Sequence, residues 1–137
     1  MLYDILSCRY SSRRKMILNY TSVEYCLSSI PHVNNSRPRI IFHLDNESRK
    51  RFSWENADLN ILSDGRIFLT KSEYDYSREE WHETILRDFK GDKYIIRTID
   101  NMLSEEPCGP GGRPLFTSFA SIVSYLTRRS SGSIVNG

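Results

Sequence analysis

Leu59-Asn60-Ile61-Leu62-Ser63-Asp64-Gly65-Arg66-Ile67-Phe68-Leu69 is the stretch on which the fold turns. Two short runs rich in apolar residues flank Ser63-Asp64-Gly65, and the Asp-Gly pair supplies the positive-φ residues that a tight reversal requires. The pattern predicts an antiparallel hairpin over 59–69.

Working upstream, Arg39-Ile40-Ile41-Phe42-His43-Leu44 has the composition of a buried or half-buried strand. Arg49-Lys50-Arg51 interrupts it with charge, after which Phe52 and Trp54 alternate. The turn-rich segment 31–38, bounded by Pro31 and Pro38, precedes that strand. Before it, Thr21 and Glu24 have the spacing of a capping box, and Val23, Cys26, Leu27 and Ile30 recur at helical intervals, which predicts a helix over 22–30 closed by Pro31. Leu2, Ile5 and Leu6 suit a further short helix, separated from Met16-Ile17-Leu18 by Arg13-Arg14-Lys15.

Downstream, Ser77 and Glu80 form a second capping box, with Trp81, Ile85 and Phe89 as an apolar stripe and Gly91 as a C-terminal stop, so a helix is expected over 77–90. Residues 94–103 suit either regular structure. Ile95, Ile99 and Met102 fit a helix, whereas the β-branched run from Ile95 to Ile99 favours a strand to about residue 99. Pro and Gly make 108–114 a loop. Phe119, Ile122, Val123 and Leu126 behind Thr117 or Ser118 predict a final helix over 118–129, with Arg128-Arg129 at its negative end. The expected fold is α+β: a mostly antiparallel sheet from 39–71 and 93–99, packed by two to four helices in a single domain over 1–130, with a frayed tail at 131–137.

The chain has 137 residues, enough for one core, and its 39% hydrophobic content argues against wholesale disorder. Only Ala57 and Ala120 represent alanine, which tilts the chain toward strands and short helices. No apolar run has the length that crosses a bilayer, so no membrane partner is expected. The N-terminal segment 1–8 lacks a basic leader region and carries Asp4, and is read as mature protein. Three scattered cysteines, Cys8, Cys26 and Cys108, form no ligand cluster and point to reduced thiols in a cytoplasmic setting. The net charge of +2 divides unevenly: +5 over 1–54, −6 over 55–108 and +3 over 109–137. Such an asymmetry bears on partners rather than on fold.

No metal or cofactor motif assembles. Leu86 stands where a zinc helix beginning at His82-Glu83 would need its second histidine. Leu62 breaks a calcium-loop reading of Asp58, Asn60 and Asp64. Arg113-Pro114 follows the 109–112 glycine-rich loop where a phosphate loop requires Lys-Ser/Thr. A catalytic reading rests on His43 and His82, which, with Glu47 or Glu83 nearby in sequence, have the chemistry for metal-independent RNA cleavage: one deprotonates a 2′-hydroxyl and the other protonates the leaving oxygen. A structural or merely exposed histidine accounts for each more simply. The basic set Arg9, Arg13, Arg14, Lys15 and Arg49-Lys50-Arg51 suits a phosphate backbone but equally suits a solvated face, so nucleic acid is the less favoured partner.

The acidic, aromatic stretch Glu73-Tyr74-Asp75-Tyr76, continued by Glu79, Glu80, Trp81 and Glu83, is the strongest candidate in the sequence for a protein-binding surface, although acids at a helix N-terminus, Trp81 in the core and Tyr74 and Tyr76 at a strand end account for the same residues slightly better. Tyr and Trp dominate interface energetics, and interleaved carboxylates steer a basic partner. In general character this stretch, with the closing 115–126 segment rich in Phe, Ile, Val and Tyr, resembles the immunity proteins that neutralise bacterial toxins. The resemblance implies a complex with a cognate toxin, often a basic nuclease, whose active site is covered. The expected contacts are Glu73, Tyr74, Asp75, Tyr76, Glu79, Glu80 and Glu83. The competing expectation is a small metal-independent ribonuclease or nucleic-acid-binding enzyme built on His43 and His82.

Overall fold

The 59–69 hairpin forms the centre of a five-stranded antiparallel meander. A computed structural model describes residues 18–51, 56–105 and 116–136. In chain order the strands are β1 (Tyr20–Cys26), β2 (Arg39–Leu44), β3 (Ala57–Leu62), β4 (Ile67–Asp75) and β5 (Glu80–Asp88), with neighbours in sequence also neighbours in the sheet. Helix α1 (Asn46–Arg51) links β2 to β3, and α2 (Lys93–Glu105) and α3 (Phe119–Asn136) follow the sheet. The fold is α+β, as the sequence predicts.

In the β3–β4 turn only the glycine of the Asp-Gly pair takes a positive φ, while the aspartate contributes its side chain. Gly65 has φ 89°, the Gly65 amide donates to the Leu62 carbonyl, and the Asp64 carboxylate accepts from the Arg66 amide and guanidinium. Alternation then divides the sheet into two faces. Ile40, Phe42 and Leu44 of β2, Ala57, Leu59 and Ile61 of β3, and Ile67 and Leu69 of β4 point to the main core. Helices α2 and α3 cover that face with Ile95, Ile99, Met102, Leu103, Ile122 and Leu126. On the opposite face, Leu62 and Phe68 gather Ile30 from the β1–β2 connection into a second, smaller cluster.

Three expected elements are corrected. Residues 22–30 are not a helix: Tyr20–Cys26 is an edge strand paired with β2. The presumed cap residues bond across strands instead, Thr21 Oγ1 donating to the His43 carbonyl and Glu24 meeting the His43 ring. Residues 77–90 are not a helix either, because β4 has a second edge to satisfy and β5 pairs along it from Asp75–Glu80 to Phe68–Asp88. A bulge between Leu69 and Thr70 in this pairing leaves Leu86 as the extra residue, so Ile85 joins the smaller cluster while Phe89 enters the main core. Gly91, with φ 75°, lies in the turn after β5.

Finally, the strand expected to about residue 99 is helix α2. Asp92 caps it by accepting from the Tyr94 amide, and its apolar stripe faces the core at helical spacing. The expected final helix is present and runs to Asn136, past the boundary expected near residue 129. Its start is reinforced by reciprocal bonds between Ser118 and Ser121, and by Asp100 of α2, whose carboxylate accepts from the Phe119 amide at 2.8 Å. Among the described residues no helix is long and apolar enough to cross a membrane. The N-terminal segment with Arg9, Arg13, Arg14 and Lys15, the Phe52–Trp54 alternation and the 108–114 loop lie outside the described residues.

Candidate functional site

Beyond the last β3–β4 pair, Ala57–Lys71, strands β4 and β5 continue, among the described residues, as a two-stranded ribbon. Its four pairs, Ser72–Glu83, Glu73–His82, Tyr74–Trp81 and Asp75–Glu80, extend about 13 Å at the usual strand rise. The 76–79 loop closes the end, with Glu79 at φ 54°. Asp75 organises that loop by accepting from the Ser77 hydroxyl (2.6 Å) and from the Ser77 and Arg78 amides. Those bonds, the Ser77 hydroxyl foremost, hold its carboxyl below the usual range.

Strand alternation separates what the sequence presents as one stretch. Tyr74 and Trp81 are opposite each other on the face away from α2 and α3; Glu73, Asp75, Glu80 and His82 take the other face. Tyr74 stands between two rings, with its centroid 4.8 Å from that of Tyr76 and 5.4 Å from that of Trp81, in edge-to-face geometry. Tyr76 is 84% and Trp81 68% exposed. An isolated ribbon is marginal in water, and a cross-strand aromatic pair helps to hold it. Ribbon cohesion alone does not explain Tyr76, which lies in the loop and leaves most of its surface in solvent.

The acidic residues also divide. Lys71 meets Glu73 at 3.3 Å, and Glu80 and Asp75 lie 3.2 and 3.4 Å from His82 Nε2. Glu79 forms no ion pair among the described residues and is exposed. Glu83, expected as a partner contact, is committed to the fold. Its carboxylate takes both terminal nitrogens of Arg39, at 2.6 and 2.9 Å. Arg39 is 2% exposed, and its remaining donors reach Asn60 Oδ1 and the Ser28 carbonyl and hydroxyl. All five guanidinium N–H groups are thereby satisfied.

Register explains how Arg39 reaches β5. Arg39, Asn60, Thr70 and Glu83 lie on one diagonal across β2, β3, β4 and β5, and Asn60 bonds Thr70 at 2.8 Å along the way. Sheet twist draws such diagonal neighbours together. The sequence carried a signal for this hub: a charged residue opening an apolar strand, in phase with Ile41 and His43 on the face opposite Ile40 and Phe42.

The two histidines are not brought together. His43 lies on the same face as Arg39, whereas His82 lies on the opposite face of the ribbon, three strands away and about 15 Å or more by strand spacing. Both His43 nitrogens are occupied, Nδ1 by Asp58 and Nε2 by Glu24, each at 2.9 Å. Burial pulls the His43 pKa down, but the bond to Glu24 and the charge of Asp58 outweigh it, so the net shift is upward. Asp58 is also raised, chiefly by burial, against the opposing pull of His43 and Arg49.

Both shifts mean that the folded state holds protons more tightly than the unfolded chain. The His43 contribution is complete below its unfolded value, about 6.5, and is lost as pH rises through the higher folded value. Stability is therefore expected to fall as pH rises above about 6.5, and urea midpoints should show a smaller slope against pH in His43→Gln. With Glu24 52% exposed, solvent screening keeps the change below about 1 kcal/mol. Among the described residues no group of three or more His, Cys, Asp or Glu side chains is arranged to hold a metal. Comparison with protein-family models, with curated proteins and with solved structures finds no match to this chain.

Proposed function

We propose that this chain is a protein-binding module that engages a basic partner through the outer β4–β5 ribbon. We further propose that the partner is a toxin whose active site the ribbon covers in the cytoplasm, the mode of action of immunity proteins. The observation that carries the reading is the pair Tyr76 and Trp81, both largely in solvent on a ribbon that projects past the rest of the described sheet. Large, rigid aromatic side chains at an exposed extremity are suited to fill a cleft, and they lose little conformational freedom on doing so. With Glu83 neutralised by Arg39, residues 72–82 still carry four carboxylates and one arginine, a balance that attracts a basic surface.

The ribonuclease reading has weaker support, because His43 is held between two carboxylates and His82 lies on the other face. The test of the binding reading is complex formation with the purified product of the gene adjacent to this one. A stoichiometric complex is expected on size exclusion, with an association rate that falls steeply as salt rises. Absence of a complex, or a salt-independent one, contradicts the reading.

A further inference from the structure

Among the described residues, arginines stand over five aromatic rings. Arg66 lies 6.0 Å from the Phe68 ring centroid, Arg87 5.0 Å from that of Phe89 and Arg97 5.9 Å from that of Tyr94. Arg129 serves two rings, at 4.9 Å from Tyr25 and 5.7 Å from Tyr125. Among the described residues, the Tyr74, Tyr76 and Trp81 rings have no such cover. Arg78, the one basic residue in the 76–79 loop, is directed at Asp75 instead, with Nε 3.8 Å from its carboxylate.

The three rings meet edge to face, at interplanar angles of 74° and 70°, and this geometry leaves π surface of Tyr76 and Trp81 free. A π face is electron-rich and attracts a cation, most strongly at tryptophan. Exposed Glu79 in the adjoining loop adds negative potential, and Glu73 and Glu80 add more from the other face of the ribbon. A guanidinium suits this site better than an ammonium, because it is planar, stacks on rings and is more weakly hydrated. Nucleic acid fits less well, since stacking a base there would bring its phosphates against the carboxylates.

We propose that the Tyr74–Tyr76–Trp81 cluster is a docking site for an arginine side chain of a basic protein partner, seated on the open face of Trp81. The proposal rests on the protein-binding reading above and specifies what that surface recognises.

The experiment titrates the full chain with a short Gly/Arg peptide and with the same peptide carrying citrulline, which keeps the shape and removes the charge. The readout is the Trp81 indole N–H signal in NMR, assigned by its loss in Trp81→Phe. The arginine peptide is expected to shift that signal saturably and to bind roughly two- to fivefold more tightly than the citrulline peptide. In Trp81→Ala and Trp81→Phe, where that signal is absent, binding is read from the backbone amide signals of Tyr74 and Tyr76; Trp81→Ala removes the arginine preference, and Trp81→Phe retains part of it.

Equal binding of the two peptides overturns the proposal, as does no response of Trp81 at about 10 mM peptide. A larger response to single-stranded oligouridine assigns the face to nucleic acid. A shift with protein concentration alone assigns it to a second copy of the chain, and either outcome also overturns the proposal. If the complex with the adjacent gene product forms while the peptides bind equally, the protein-binding reading stands and only the arginine assignment falls. If the arginine preference holds and no complex forms, the partner assignment falls instead.

Discussion

Glu83→Ala is expected to lower the unfolding free energy by about 3 kcal/mol, read as a shift of the urea midpoint. The substitution leaves Arg39, 2% exposed, with two of its five donors unpaired and no counter-charge. Breaking a buried pair in this way costs about 3–5 kcal/mol, since an uncompensated charge stays behind. Glu83 is itself 17% exposed, so water can partly replace it, and the lower end of that range applies. Glu83→Gln keeps one acceptor and should cost roughly half as much. The double replacement Arg39→Met with Glu83→Leu should recover much of the loss, because it removes the charge together with its partner. If Glu83→Ala is neutral, Arg39 is not the hub that ties β2 to β5.

The second large effect concerns recognition. Tyr76→Ala combined with Trp81→Ala is expected to weaken the complex at least 100-fold, about 2.7 kcal/mol or more. The same double variant should change stability by no more than about 1 kcal/mol, because its main folded-state loss is the Tyr74–Trp81 cross-strand contact. Neutralising the acidic face by Glu73→Gln with Glu80→Gln should act differently. It slows association and flattens the salt dependence, with less than about a tenfold change in dissociation. An unchanged affinity in the aromatic double variant would show that the partner sits elsewhere on the sheet.

Glu83 illustrates why the site was only partly legible in the sequence. Its residue type and its neighbours Trp81 and Glu80 mark it as surface, and nothing local reveals an arginine 44 positions earlier as its partner. That pairing arises only when four strands align on a diagonal. The aromatic residues were legible as an interface composition, yet a helical reading of 77–90 places Trp81 on one apolar stripe with Ile85 and Phe89. As a strand, the same segment presents Trp81 opposite Tyr74, and the bulge sends Ile85 and Phe89 to different faces.

Elements with local determinants read correctly: the Asp-Gly reversal, the apolar 39–44 strand, and the final helix behind Ser118. The elements that reversed had sequence patterns compatible with both structures. Thr21 with Glu24 and Ser77 with Glu80 have capping-box spacing, but capping is a small contribution beside a full ladder of strand hydrogen bonds. In α2 the opposite occurred. The β-branched run from Ile95 to Ile99 yielded to the Asp92 cap and to a stripe that fits the main core.

The central claim is that a partner buries the aromatic face of the ribbon, and the solvent accessibility of Trp81 tests it most directly. Hydroxyl-radical footprinting of the free protein and of its complex with the adjacent gene product reports this residue by residue. Trp81 and Tyr76 are predicted to react strongly in the free protein and to be protected in the complex, while Trp81 emission moves to shorter wavelength. Protection already present in the free chain, or protection that appears elsewhere while Trp81 and Tyr76 stay reactive in the complex, would contradict the claim.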